Sequence, residues 1–435
     1  MSKRLLSLLS VLFFSALLSL PAYDFGGTFD NATTLDTAPL VLQEDKLALW
    51  FQTPLGRFLT LAVQGSFTYT YDSLNNSSHS VLLDVDSLKI AGEFPLQGTR
   101  PSLFTFTVGR FPLADFSRQV LDTTIDGMEL RWRGARLNAT LAAAFTGLEL
   151  EPASSVNMTW ADINSSSAFA PPRVVEMLEL HFPELFLRQD LLVAVLAQQD
   201  LRSQDQPGIQ PEGPAPEVVG RGGLLSTEYL GLSLRGPLSG SLYYDVFAYL
   251  GTGRTLSYIE ATSTYSYEWL VSALTGGGLR YFREQWLNSR AELRFLLSTG
   301  DTDYTVQFTE GNRDGLAATF VPITPAELAL VFSPKAGNLA LLSLSYSIKP
   351  IEILQTGLTA AVFVRPTLGL ISDSQVDKTS DSRYLGSEID ATARLRPWSD
   401  LGMALSLGIF LPGGAFPAGE RDSRFRGKLE ISLSF

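Results

Sequence analysis

The chemistry this chain can offer lies in charged side chains set two residues apart. Arg290, Glu292 and Arg294 recur at every second position, as do Glu129, Arg131 and Arg133, and Glu388, Asp390, Arg394 and Arg396 on a third stretch. Arg426 and Lys428 repeat the pattern close to the C-terminus, and Arg280 stands near the end of the run 264–282. In an extended strand this spacing puts all members of a row on one face. A guanidinium is always charged and forks onto carboxylates, and basic rings set anion preference in pores. Such rows suit two roles: lining a passage that attracts anionic or polyhydroxylated solutes, or pairing with one another to pack a wall or plug. The sequence leaves both open.

Other chemistries have little material. There is no Cys, which excludes disulfides and thiolate metal sites. The only histidines are His79 and His181. His181 lies close to Glu179, but no local motif marks it as half of a Ser/His hydrolase pair. Gly300-Asp301-Thr302-Asp303 lacks the spacing of an EF-hand calcium loop and reads as a solvated acidic turn. Gly276-Gly277-Gly278 follows no phosphate-binding pattern and reads as relief of crowding in a bent strand. No catalytic residue, cofactor or metal is expected. A net charge of −12 argues against a nucleic-acid partner.

The elements that would position the charged rows are strands. Arg424 to Phe435 alternates without a break: Phe425, Gly427, Leu429, Ile431, Leu433 and Phe435 on one face, charged and polar residues on the other. The same alternation runs through 59–71, 80–94, 101–110, 125–134 and 137–148, then 173–182, 186–201, 224–235, 239–251, 264–282 and 286–299, and finally 338–349, 351–365, 383–397 and 400–411. The first two strands read as short, Tyr23 to Asp30 and Lys46 to Gln52. On the third charged stretch Leu385, Ile389, Ala391, Ala393 and Leu395 are expected to face out, and on 286–299 Leu287 and Leu293 among others. Trp50, Trp286 and Trp398 lie near strand ends, where aromatic residues suit a lipid–water boundary.

Connections alternate short and long. The short ones fall at Thr53–Gly56, Pro95–Gly98, Gly134-Ala135, Pro183-Glu184, Gly236-Pro237, Arg283–Gln285, Lys349-Pro350 and Pro397–Asp400. The long ones are Asn75–Ser78, 111–124, 149–172, 202–223, 252–263, 300–337, 366–382 and 412–421. Glu327 to Phe332 looks like a strand in isolation, but counting it in the wall would break the alternation, so it belongs to the loop. About eighteen strands with short turns at one end and loops at the other fit an all-β, transmembrane, antiparallel up-and-down β-barrel, with lipid outside and water inside. A barrel of this size leaves an aqueous channel unless something fills it. The Lys3-Arg4 start, the apolar run Leu5 to Leu20 and Leu20-Pro21-Ala22 read as a signal peptide over 1–22, leaving 23–435 as the barrel.

Some segments resemble the alginate-export-type porins. Val108-Gly109-Arg110-Phe111 with Asp126-Gly127 resembles that family's Gly-Arg and Asp-Gly pair, and Tyr384-Leu385-Gly386-Ser387-Glu388-Ile389-Asp390 resembles its late Leu-Gly-x-Glu strand. The resemblance implies an 18-stranded barrel of the bacterial outer membrane with lumenal arginines, and lumen-facing positions for Arg110, Glu388 and Asp390. Strict alternation gives Arg110 the face of Phe104, Phe106 and Val108, so it needs a break in register near Gly109 to point inward. The final Phe matches the signal by which such proteins engage the barrel-assembly machinery. The expected role is a passive diffusion or export channel for small solutes, in contact with outer-membrane lipid and narrowed by loops 300–337 and 111–124. The alternative is a non-conducting surface adhesin or receptor using loops 149–172 and 202–223.

Overall fold

The computed structural model describes residues 23–435 apart from 38–39, 74–77, 97, 99–100, 205–220, 306 and 314. The expected signal peptide and most of loop 202–223 therefore lie outside the described residues. Nineteen strands are described: β1 Asp24–Asp36, β2 Leu40–Pro54, β3 Leu59–Asp72, β4 Ser78–Leu96, β5 Ser102–Ala114, β6 Asp122–Arg133, β7 Asn138–Phe145, β8 Arg173–Phe186, β9 Gln189–Asp200 and β10 Ser226–Pro237. They continue as β11 Leu242–Ile259, β12 Thr264–Arg283, β13 Ser289–Ser298, β14 Leu316–Ala317, β15 Ala340–Ile351, β16 Leu354–Val364, β17 Tyr384–Trp398, β18 Leu401–Pro412 and β19 Arg424–Ser434.

Eighteen of these form a closed antiparallel barrel. Each pairs with its sequence neighbour, β13 pairs directly with β15, and β1 pairs with β19 from Thr28↔Ser434 to Asp36↔Arg426. The two-residue β14 lies parallel to β12, inside the β13–β15 connection. Glu327–Phe332 is not a strand, as the alternation of connections required. Closure matters because a sheet edge facing hydrocarbon leaves backbone N–H and C=O groups without partners. Phe435 completes the seam, its N and O exchanging hydrogen bonds of 3.0 and 2.9 Å with Gly27.

The pleat sorts the two solvents. On β13, Leu293, Phe295 and Leu297 are exposed on the outer surface, while Glu292, Leu296 and Ser298 are buried on the inner one. β18 and β19 repeat this, with Leu405, Leu407, Ile409, Phe425, Leu429 and Leu433 outside.

The structure corrects several local expectations. β1 and β2 are taller than the short strands expected, because residues 30–36 and 40–46 pair rung by rung from Asp30↔Lys46 to Asp36↔Leu40. Segment 252–263 is mostly strand, since β11 and β12 pair up to Ile259↔Thr264. The β8–β9 turn falls at Leu187 and Arg188, both with positive φ, beyond an irregularity that takes up Pro183 and Glu184. Leu287 lies in the β12–β13 turn, also at positive φ, rather than on the wall. Lys349-Pro350 remains within β15, and the turn comes after Ile351. Leu385 is not lipid-facing: a register shift at Gly386, whose φ is 148°, turns it inward, where it is fully buried. Trp286 and Trp398 are exposed at the turn end, but Trp50 shares the inner face of Ala48.

Candidate functional site

Two connections fold back into the barrel and decide what its interior can do. The first is the β5–β6 hairpin. Pairing of β5 with β4 stops at Arg110↔Leu88, and pairing of β6 with β7 stops at Asp126↔Phe145, yet β5 and β6 stay paired up to Ala114↔Asp122. The hairpin therefore leaves the wall. It does so at two glycines directly across from each other, Gly109 and Gly127. Gly109 has φ 118°, and a Cβ there would stand 2.1 Å from the Leu88 carbonyl oxygen. A Cβ on Gly127 would stand 2.3 Å from that of Ala143. Only residues without side chains let the bend form against its neighbours.

Asp115 holds the tip. Its carboxylate accepts hydrogen bonds from the Ser117 and Leu121 amides at 2.8 and 2.7 Å and from the Tyr249 hydroxyl at 2.7 Å. Tyr249 is on β11, six strands round the wall from β5, so the hairpin crosses the interior as a chord. Phe116 stacks on Tyr249 with ring centroids 5.1 Å apart. Phe111, Leu113, Val120, Leu121 and Ile125 bury themselves against inner residues of β7–β9 such as Ala142, Val175 and Leu196.

The second insert is the β13–β15 connection, 299–339. The Thr324 amide donates to the Val120 carbonyl at 3.0 Å, tying it to the hairpin tip. The Tyr229 hydroxyl of β10 donates to the Val321 carbonyl. On the far wall Glu388 accepts from the amides of Val331 and Phe332 at 2.7 and 2.8 Å, and Arg426 donates to the Leu330 carbonyl at 3.0 Å. Phe332 stacks on Phe410 at 4.4 Å and meets Phe363 edge-on at 5.1 Å. The insert thus spans the lumen and packs a dry aromatic cluster beneath itself.

Polar space remains around this packing. A cavity of about 290 Å³ lies between the two inserts and the wall, lined by Phe116, Gln119, Glu327 and Leu328 on the insert side and by Arg235, Asp245, Arg280 and Arg294 on the wall side. Toward the turn end it shares Arg235 and Arg280 with a vestibule of about 1180 Å³ that also carries Arg188, Asp190, Arg283 and Glu284. Across the barrel, a third cavity of about 660 Å³ lies between β2–β4 and the opposite side of the hairpin.

The charged residues expected from the sequence take several positions. Arg290, Glu292 and Arg294 share the inner face of β13, and Glu292 holds both arginines, with 2.5 Å to Arg294 Nε. Arg280 pairs with Asp245 at 2.7 Å. Glu129 and Arg131 pair at 2.7 Å on the inner face of β6, and Arg133 beyond them is exposed. Glu388 and Asp390 are buried under the second insert, while Arg394 and Arg396 on the same face are exposed nearer the turn end. Arg426 pairs with Asp36 at 2.7 Å across the closing seam, and Lys428 with Glu430 at 2.7 Å.

Arg110 differs from all of these. The register of β5 on β6 runs unshifted from Leu103 to Ala114, so the expected break is absent. Because the hairpin departs, the guanidinium lies in the gap it leaves. It forks onto Asp126 at 2.7–3.2 Å and caps the carbonyls of Val85 at 3.0 Å and Leu148 at 2.9 Å.

Asp115, Tyr249, Arg235 and Asp245 were not singled out from the sequence. Arg235 and Asp245 were findable, since each continues the inner face of its strand. Nothing local marks Asp115 or Tyr249, whose meeting joins positions 134 apart. His181 stands between Asp190 Oδ2, 3.1 Å from its Nε2, and the Asn138 amide, 3.3 Å from its Nδ1, and neither partner is a nucleophile. Among the described residues no cluster of three or more His, Asp or Glu could hold a metal ion.

No family model matches the chain, and no curated protein matches it. Solved structures do. Pseudomonas aeruginosa OccK5 (OpdH) superposes with a TM-score of 0.58 at 11% identity, covering 96% of this chain and 98% of that one. OccK3 (OpdO) of the same organism gives 0.56 at 11%, covering 98% and 99%. Pseudomonas aeruginosa OpdK, solved with vanillate, gives 0.55 at 9%, covering 96% and 99%. At these identities the likeness is one of fold. It supports a porin-type barrel, not the alginate-export type in particular.

Proposed function

We propose that the chain is an outer-membrane channel for passive diffusion of small solutes, and that arginines at the narrow point favour anionic ones. The outward apolar belt suits lipid, the short turns would face the periplasm and the long loops the exterior. The observation that carries the reading is the continuity of Arg235 and Arg280 from the narrow cavity into the wide vestibule. In the narrow cavity three arginines face two carboxylates, Asp245 and Glu327. Phe116 and Phe247 add apolar surface there, so a small carboxylate with a flat apolar body matches the lining. OpdK, whose structure was solved with vanillate, gives this ligand class a parallel. Selectivity comes from width and charge, and no step requires a covalent reaction.

The dry cluster around Phe332 favours a second reading, a barrel closed by its inserts that serves as a surface receptor. Single-channel recording in planar bilayers separates the two. Discrete conductance steps with anion preference support the channel. A heat-modifiable, folded barrel that never conducts favours the receptor.

A further inference from the structure

The departure of the β5–β6 hairpin leaves the wall interrupted. Residues 78–84 and Ser87 of β4 pair with β3 alone, and Val85 and Asp86 fall in a register shift of that ladder, because β5 reaches β4 only from Leu88 onward. At that height β4 has no strand beside it until the chain beyond β7. The missing neighbour registers in exposure: Leu83 is 71% exposed, against 42% for Phe67, its partner on β3. The rung through Leu83 continues through Phe67, Leu47 and Phe29, all apolar and outward, so the gap lies within the apolar belt. Arg110 spans its base, from the Val85 carbonyl on one side to the Leu148 carbonyl on the other.

Unpaired backbone at membrane depth is stable only against protein or a water-filled cavity. The cavity is present. The third cavity, about 660 Å³, is lined by Thr68, Ser80, Asp84 and Asp86 inside and reaches Val85 and Arg110 at the rim. We propose that this gap is a side window through which the cavity exchanges amphiphiles with the outer leaflet, the head entering the cavity and the chain remaining in lipid.

The cavity lining defines the head. Glu44, Asp84, Asp86 and Glu149 face Lys46, Lys89 and Arg110. Asp86 is already bonded to Lys46 at 3.2 Å, and Arg110 is shared between Asp126 at 2.7 Å and Asp84 at 3.4 Å. Glu149 is 7% exposed, and among the described residues its Oε2 has no hydrogen-bond partner. Carboxylate is thus in excess, surrounded by hydroxyls, and the head it suits carries an amine and hydroxyl groups. The window is separate from conduction through the arginine-lined passage and does not depend on it.

The absence of Cys makes the test direct. Single-cysteine proteins Thr68→Cys, in the cavity, and Ser343→Cys, at the narrow point beyond the hairpin, are placed in vesicles. Each is exposed to a maleimide on an alkyl chain confined to the bilayer and, separately, to a charged water-soluble thiosulfonate. Both positions should react with the soluble reagent. The bilayer reagent should label Thr68→Cys an order of magnitude faster than Ser343→Cys. Arg110→Lys, which keeps the charge but loses the fork, should speed that labelling several-fold. An alkylamine should protect Thr68→Cys, and an alkyl sulfate of equal chain length should not. Ser80→Cys replaces Thr68→Cys if the latter fails to fold. Equal, slow labelling of both sites by the bilayer reagent would overturn the window, as would a stable oligomer that shields Leu83→Cys. Protection by the sulfate instead of the amine would overturn the head-group assignment.

Discussion

Replacing Arg294 with Ser tests the charge argument at the narrow point. Arg294 lines the 290 Å³ cavity with Arg235 and Arg280, opposite Asp245 and Glu327, so the lining falls from one net positive charge to none. Its side chain is 63% exposed and its only ion-pair partner among the described residues is Glu292, which keeps Arg290 after the change. The substitution therefore removes charge from the passage without leaving a buried carboxylate alone. A unit charge about 6 Å from a passing ion contributes about 0.7 kcal/mol at the dielectric of water, or about three-fold in the local concentration of each sign. Because the anion loses what the cation gains, the anion-to-cation permeability ratio should fall by about ten-fold at low salt. At about 1 M salt, where the screening length is about 3 Å, the difference should nearly vanish.

The assay is the reversal potential of reconstituted channels under a salt gradient, read at low and high ionic strength. Arg294→Ser should shift it toward cation selectivity by tens of millivolts at low salt. Arg394→Ser removes the same charge from an exposed position nearer the turn end and should shift it less. Heat-modifiable gel mobility confirms that both variants fold. An unchanged reversal potential for Arg294→Ser at low salt, in folded protein, would refute the arginine-lined passage, and so would a shift that persists at high salt.

Three further outcomes follow from buried carboxylates. Glu388→Ala strips the Val331 and Phe332 amides of their acceptor, at about 1–3 kcal/mol for each buried group left unpaired; the second insert should loosen, and current records should show more frequent large openings. Asp115→Ala removes the acceptor that gathers the hairpin tip onto Tyr249; mean conductance should rise, and unaltered conductance in a folded barrel would count against the hairpin as a constriction. Burial pushes the Glu149 carboxyl up to about 7, with bonds to Ser154 and the charge of Arg110 only partly offsetting it. Its folded pKa then exceeds its unfolded one, so its penalty on folding is absent below the unfolded value, grows as pH rises, and is complete above about 7. Glu149→Gln should therefore raise resistance to urea at pH about 8 and change little at pH about 4, by comparison of unfolding midpoints.

The wall was legible because its cause is local. Each residue meets oil or water according to its parity, so Leu293, Glu292 and Arg294 declare their faces without knowledge of any distant partner. The strand count follows from the same signal plus punctuation. Where parity alone governs, the charged rows on β13, β6 and β19 fall on the inner face as the alternation implies. Parity fails where the backbone departs from the pleat. Leu385 reads as lipid-facing until Gly386 shifts the register. Ile125 reads as an ordinary wall position and Phe111 and Leu113 as part of a long connection, yet all three belong to one paired hairpin that has left the wall.

That departure is what divides the interior of the barrel, and it rests on groups far apart in the chain. Gly109 and Gly127 permit the bend, but permission is not direction. Direction comes from Asp115 meeting Tyr249, and from Thr324 meeting Val120, across 134 and 204 positions respectively. Sequence spacing carries no trace of either contact. The same holds for two arginines buried outside the charged rows. Arg173 is enclosed by Asp162 and Asp200, and Arg365 by the carbonyls of Gly369, Asp377, Ser380 and Ser382. Each gathers a loop around a guanidinium whose desolvation is met by several acceptors at once. Charge in this chain thus has two physical roles that a residue count cannot separate. In the proposed channel, arginines on exposed inner rungs would act on the solute, whereas arginines enclosed by carbonyls and carboxylates hold the loops folded around them.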